Sequence, residues 1–156
     1  MHALTHYTLY NVTPLSKILS KDWKRLNLAT KVAEKSRFDS SKRLGACLGN
    51  VFYTGENQHR EMTGKLYHTS LHAEMHALFK SIKALEKKNR FSRSKIRSNR
   101  PQMTIYVVRL LKDGWYGGSR PCQNCQKFLA LHNVTKVKYT DVIDGVNVLC
   151  ELRIKR

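Results

Sequence analysis

Only Asp141 to Gly145 separate two runs of β-type residues, Lys136 to Thr140 and Val146 to Arg153. A parallel crossover needs a dozen or more residues, so these two strands pair as an antiparallel hairpin. Asp144-Gly145 supplies the residues of a tight turn. Upstream, Met103 to Leu110 is an apolar, β-branched run of the kind found in a central strand buried on both faces. A hairpin beside such a strand implies a mixed sheet with helices covering it.

The remaining pattern supplies those helices. Tyr7, Leu9, Tyr10 and Val12 suit a short strand or extended arm over residues 1–13. Thr13 is placed to cap a helix and Pro14 to occupy its first position. Leu15, Ile18, Leu19 and Trp23 then share a face, with Trp23 read as core, and Leu26, Ala29 and Val32 continue the pattern. One long helix or two shorter ones satisfy it. Leu44 to Leu48 and Val51 to Thr54 read as strands joined at Gly49-Asn50, followed by a loop from Gly55 to Thr69. Leu71 to Leu85 reads as a helix capped by Thr69 or Ser70, with Leu71, Met75, Leu78, Phe79 and Ile82 facing the core. Asp113 to Ser119 is a glycine-rich loop and Cys122 to His132 a third helix. The order α, β-β, α, β, α, β-β predicts an α/β fold of three layers, a mixed five-stranded sheet between helices.

The 156 residues fit one domain with a real core. No apolar stretch approaches the length needed to span a bilayer, and Met1 to His6 lack the features of a secretory signal. The expected location is intracellular, cytoplasmic or nuclear. Two of the four cysteines form a CxxC, which favours metal over a disulfide framework. The net charge of +18 attracts polyanions: nucleic acid first, an anionic membrane surface second, a phosphorylated metabolite third.

His72-Ala73-Glu74 and Pro121-Cys122-Gln123-Asn124-Cys125 supply the metal chemistry. One imidazole and two thiolates fill three positions of a tetrahedral zinc, and Glu74 is left to move protons at the fourth, the open arrangement of a catalytic site. All lie at expected helix starts, where partial positive charge favours thiolate over thiol. Glu74 stands about 200° around an ideal helix from His72, but near a first turn both can reach one pocket. Two rival readings remain. His72 and His76 have the i, i+4 spacing of metalloprotease ligands, although Ala73 occupies the position where that motif carries Glu. A closed structural zinc would recruit His132, His68, Cys47 or Cys150; the two strand cysteines more naturally serve as small buried hydrophobes.

The paired motifs resemble those of the zinc-dependent cytidine and deoxycytidylate deaminase superfamily, over about Leu26 to Arg153. The resemblance implies a cytidine-deaminase-like domain over 26–156, with 1–25 an N-terminal arm or helix extension and 87–100 a basic insertion. It implies Zn2+ held by His72, Cys122 and Cys125, and Glu74 as general base and then general acid in hydrolysis of a cytosine-type base. Asn57 lines up with a family asparagine that contacts substrate. The closing hairpin resembles the free-nucleoside branch, and relatives are often dimers or tetramers.

Charge points elsewhere. Lys87 to Arg100 is half lysine and arginine. Lys87, Lys88, Arg90, Arg93, Lys95, Arg97 and Arg100 could track a phosphate backbone while Phe91 stacks on a base. The same segment also reads as a nuclear targeting patch or a solvated loop. Lys21, Lys24, Arg25, Lys31, Lys35, Arg153, Lys155 and Arg156 spread the charge further. Trp115 and Tyr116, in the loop before the cysteines, either cover a base or anchor the loop. Two functions follow: a deaminase acting on a nucleoside, a nucleotide or a base within RNA or DNA, or a basic, deaminase-fold component of a nucleoprotein particle, with or without activity.

Overall fold

The run Met103–Leu110 forms the strand around which everything else is arranged. In a computed structural model, which describes residues 7–35, 43–49, 53–56, 58–59, 70–71, 73–89 and 102–154, the elements in chain order are β1 (Tyr7–Pro14), α1 (Ser20–Glu34), β2 (Arg43–Leu48), β3 (Tyr53–Glu56), β4 (Gln58–His59), β5 (Ser70–Leu71), α2 (Ala73–Asn89), β6 (Met103–Leu110), β7 (Tyr116–Gly117), α3 (Gln123–Leu131), β8 (Val134–Ile143) and β9 (Val146–Ile154). The main sheet has the order β1-β9-β8-β6-β2-β3, with two-residue β7 pairing on β6. Among the described strands only the β6–β8 pairing is parallel, and α3 makes that crossover. The five expected strands are β2, β3, β6, β8 and β9, and β1 adds a sixth along the outer side of β9.

The β8–β9 hairpin closes at Asp144 (φ 51) and Gly145 (φ 77). Positive φ at both central residues is what a two-residue turn of matching twist requires, and Asp-Gly adopts it readily.

Side chains of β6 alternate between two separate cores. Ile105 and Val107 join Ala46 and Leu48 of β2, Val137 of β8 and Leu152 of β9 under Ala77, Leu78 and Ile82 of α2 and Leu129 of α3. Tyr106, Val108 and Leu110 join Cys47 of β2 and Leu149 of β9 under Leu26, Ala29 and Ala33 of α1. This period of two explains why the β6 run is apolar throughout, and it fixes three layers: α1, the sheet, then α2 with α3. Leu26, Leu78 and Leu129 are 0% exposed, each stabilising the fold by about 1.5–3 kcal/mol. Trp23 is half-buried at the edge of the α1 core.

Gly45 of β2 lets α1 come this close. A Cβ there would stand 2.0 Å from the Ala29 carbonyl oxygen and 2.8 Å from the Ala33 nitrogen.

The first helix differs from expectation at its start. Pro14, with φ −55 and ψ 142, is extended and closes β1. It suits a strand end on a sheet edge, where its missing N–H leaves no ladder partner unmet. Leu15–Lys17 form a single 3-10 turn, and α1 begins at Ser20 after Leu19, with no side-chain cap. Leu15 is therefore buried while Leu19 is 61% exposed, so the two do not share a face. The boundary at residue 25 falls inside α1.

Asp22, in the first turn of α1, points into the sheet. Its Oδ1 accepts from the Tyr106 hydroxyl at 2.5 Å and from Lys138 Nζ at 2.9 Å. Glu151 lies 3.9 Å from Lys138 and accepts from Arg153 Nε at 3.2 Å.

The second helix starts later than the expected Leu71, which lies in β5, and runs on to Asn89. Ser70, an expected cap, is likewise a β5 residue. Gln58–His59 pair with Ser70–Leu71 as a separate two-stranded sheet where a plain loop was expected. Lys87 and Lys88 fall within α2, while Arg90, Phe91, Arg93, Lys95, Arg97 and Arg100 lie outside the described residues, as do Asn50, Asn57, His68, Thr69, His72, Lys155 and Arg156. Among the described residues no helix is long and apolar enough to cross a membrane.

Candidate metal and catalytic site

Two helix starts meet on the α2–α3 side of the sheet. Cys122 is the N-cap of α3 (φ −66, ψ 163), and its sulfur accepts from the backbone N–H of Cys125 at 3.4 Å. The CxxC spacing accomplishes this: a residue one position before the helix and another in its first turn face one point. Gln126, 3% exposed, donates from Nε2 to the Pro121 carbonyl at 2.8 Å, and its backbone N–H donates to the Cys122 carbonyl at 3.0 Å. The turn entering the helix is thereby held from below.

Glu74 sits in the first turn of α2 and is 3% exposed. Its Oε1 is 3.6 Å from Sγ of Cys125, itself 4% exposed. The two helices are registered deeper in the layer by Phe79 and Phe128, edge to face with centroids 5.6 Å apart. Phe128 in turn lies 4.9 Å from the His132 ring. Cys122, by contrast, is exposed, so the cluster runs from solvent to a buried carboxylate.

The hydrogen bond to Cys122, burial, and the negative charge of Glu74 together push the Cys125 thiol far above its ordinary range. Placement at a helix start does not by itself hold this cysteine as a thiolate. Two sulfurs and a buried carboxylate at such distances disfavour each other's charged forms, and a divalent cation reverses that balance. The donor set present fits zinc, with Cys122 and Cys125 as thiolate ligands and Glu74 close enough to act beside the metal. His72, the expected third ligand, directly precedes Ala73 in sequence and lies outside the described residues. Among the described residues no group of three His, Cys, Asp or Glu side chains is placed to hold a metal ion.

Of the rival zinc ligands, Cys47, Cys150, His132 and His76 are among the described residues. Cys47 belongs to the α1 core, on the other face of the sheet, where burial pushes its thiol up to about 11. Cys150 is buried among the strands of the α2–α3 core. His132 caps the far end of α3 from Cys122. His76 is half-buried on α2.

Trp115 is 65% exposed on the loop leading to the cysteines. Its neighbour Tyr116 is the anchor: its hydroxyl lies 2.8 Å from Thr30 Oγ1 on α1, and its carbonyl accepts from Asn147 Nδ2 at 2.9 Å. The pair therefore divides into one held ring and one presented to solvent. Gln126 was not legible as a site residue, although its signal was available: a polar residue four positions after Cys122, on the inward side of a short helix.

The family model described as the cytidine and deoxycytidylate deaminase zinc-binding region matches residues 19–141. No match is found among curated proteins. Among solved structures, the 1.6 Å crystal structure of cytidine deaminase from Burkholderia pseudomallei matches with a TM-score of 0.52 and 22% identity, covering 84% of this chain and 91% of that one. At that identity the likeness concerns the fold.

Proposed function

This chain belongs to the cytidine and deoxycytidylate deaminase zinc-binding family, and from that premise we propose that it hydrolyses the exocyclic amine of a cytosine-type base presented as a free nucleoside or nucleotide. The observation that carries the chemistry is the buried Glu74 carboxylate 3.6 Å from Cys125, at the point where the two helix starts converge. Support for a small substrate comes from the β8–β9 hairpin. Its tight Asp144-Gly145 turn leaves no room for a helix between the last strands, an ending that resembles the free-nucleoside branch.

Cys122 and Cys125, with His72 as the third ligand that the family resemblance implies, would hold zinc, which when bound would supply the positive charge that lets water lose a proton near neutral pH. Glu74 accepts that proton, its Oε1 being placed 3.6 Å from the sulfur of Cys125. Oxygen adds to the carbon bearing the amine. Glu74 returns the proton to the ring nitrogen, then assists a second transfer to the amine, which leaves as ammonia while a carbonyl forms. Gln126 keeps the Pro121–Cys122 backbone in place, and Trp115 is exposed in the same connection to cover a base.

The test is to incubate zinc-loaded protein with cytidine, deoxycytidine, their monophosphates and single-stranded oligonucleotides, following ammonia and uracil products. Turnover of nucleosides or nucleotides that Glu74→Gln abolishes is expected. Turnover confined to the oligonucleotides would overturn the substrate class, and no product from any of them would overturn the activity.

A further inference from the structure

The outward side of α1 carries a row of lysines whose placement the deaminase chemistry does not use. Lys21, Lys24 and Lys31 lie on the helix and Lys35 is its C-cap; all four are exposed. On an α-helix these positions fall within a sector of about 80° and span about 21 Å. Leu26, Ala29 and Ala33, all 0% exposed, occupy the opposite side against the sheet. Arg25 flanks the row, its Nη1 donating to the Lys21 carbonyl at 3.3 Å. Of the two acids in α1, Asp22 is buried and turned to the sheet, leaving Glu34 as the exposed one.

Helix stability accounts for only part of this row. Lys31 in the last turn and Lys35 at the C-cap suit the negative end of the dipole, but the like-charge pairings and Lys21 work against the helix. Lys21 and Lys24 are like charges at i, i+3 and Lys31 and Lys35 at i, i+4, arrangements that repel. Lys21 also stands in the first turn, where a cation opposes the helix dipole. An anionic partner reverses each of these unfavourable effects. The apolar residues of α1 are committed to the core, so the row offers charge without a surface to insert into a bilayer. A linear array of positive charge, two pairs each one helical turn apart and separated by about two turns, suits a linear array of phosphates.

We propose that α1 is a docking surface for the phosphate backbone of a nucleic acid, held through Lys21, Lys24, Lys31 and Lys35 on the face of the sheet opposite Glu74 and Cys125. A strand held there does not run into the candidate active site of the same molecule. Nucleic-acid binding and base hydrolysis are therefore separable properties of the chain, and this surface stands whether or not the deaminase reading does.

The experiment measures binding of the full chain to a single-stranded and a duplex DNA oligonucleotide by fluorescence anisotropy between 50 and 200 mM salt. Replacing all four lysines by glutamine should lower the log–log salt slope by about 2.8 on the single strand and about 3.6 on the duplex. An equal charge change at Lys80, Lys83, Lys112 and Lys127, exposed positions off the row, should lower it far less. Glu74→Gln should bind as wild type does, and turnover of free nucleosides by the row variant, assayed separately, should be unchanged. If the fourfold variant melts early, Lys24→Gln/Lys31→Gln should show half the change, about 1.4 and 1.8. An unchanged slope in the row variants, an equal loss in the control, or tighter wild-type binding to phosphatidylserine vesicles than to either oligonucleotide overturns the proposal.

Discussion

Replacing Asp22 by alanine removes the one acid that joins α1 to both β6 and β8. The residue is 6% exposed, accepts from Tyr106 at 2.5 Å and pairs with Lys138 at 2.9 Å. Breaking a buried pair by removing one partner costs about 3–5 kcal/mol, because the other charge stays behind. Here Lys138 is not fully abandoned: its side chain is 15% exposed, Glu151 lies 3.9 Å away, and the Tyr106 ring centroid 5.7 Å away. The expected loss is therefore at the low end, about 3 kcal/mol, equivalent to about 6–12 °C in Tm for a domain of this size. Urea unfolding gives the first figure and calorimetry the second. Adding Lys138→Met to Asp22→Ala should restore at least about 1 kcal/mol, since the stranded charge goes with it. The acid limb supplies an independent check. Burial alone would raise the Asp22 pKa, but the hydrogen bonds from Tyr106 and Lys138 and the Lys138 charge outweigh it, so the group is held below its ordinary 3.8. The unfolded chain then takes up this proton first, and the stabilisation is present in full above the ordinary value and lost as pH falls through the lower folded one. The stability gap between wild type and Asp22→Asn should close on that side only. A loss under about 1 kcal/mol, or additive effects of the two substitutions, would refute the coupling.

Glu74→Gln should lower turnover by about 100-fold to 10,000-fold while leaving zinc content, read by atomic absorption, at the wild-type level. Cys125→Ser should lose zinc outright under dialysis conditions that wild type survives, and urea unfolding should show a parallel loss of stability. Gly45→Ala drives a methyl into the Ala29 carbonyl, and at 2.0 Å backbone cannot yield cheaply; a loss of at least about 3 kcal/mol in urea unfolding is expected, the upper end for overpacking.

What could be read from the sequence was what depends on near neighbours. Met103–Leu110 is β6 to the residue, because a strand buried on both faces has no polar alternation to blur its ends. The hairpin followed from a short connection with one physical solution, and the third helix from CxxC followed by an apolar face. The start of α1 was less accessible. Thr13-Pro14 satisfies a helix start and a strand end equally, and what decides is the pairing of Pro14 with Val148, far off in sequence. Partners at long range likewise hid the roles of Asp22, Lys138 and Glu151, each an ordinary charged residue in its own segment. For the site, the sequence named Glu74 and the two cysteines together because ligand chemistry restricts residue types and spacing, and the fold brings Glu74 within 3.6 Å of Cys125. The burial of Glu74 and Cys125 was not legible, since it depends on two helices distant in sequence coming together.

The outermost pairing sets a schedule for making the molecule. Tyr7 pairs with Ile154 and Pro14 with Val148, and between β1 and β8 lies β9, a strand synthesised long after β1. At about 5–20 residues per second, β1 waits about 7–30 s on the ribosome for a partner that does not yet exist. Throughout that interval its backbone donors and acceptors are open to any other strand. Charge is the protection available in that window, because chains of one strong sign resist pairing with one another. At +18, nascent copies keep apart until the sheet can close.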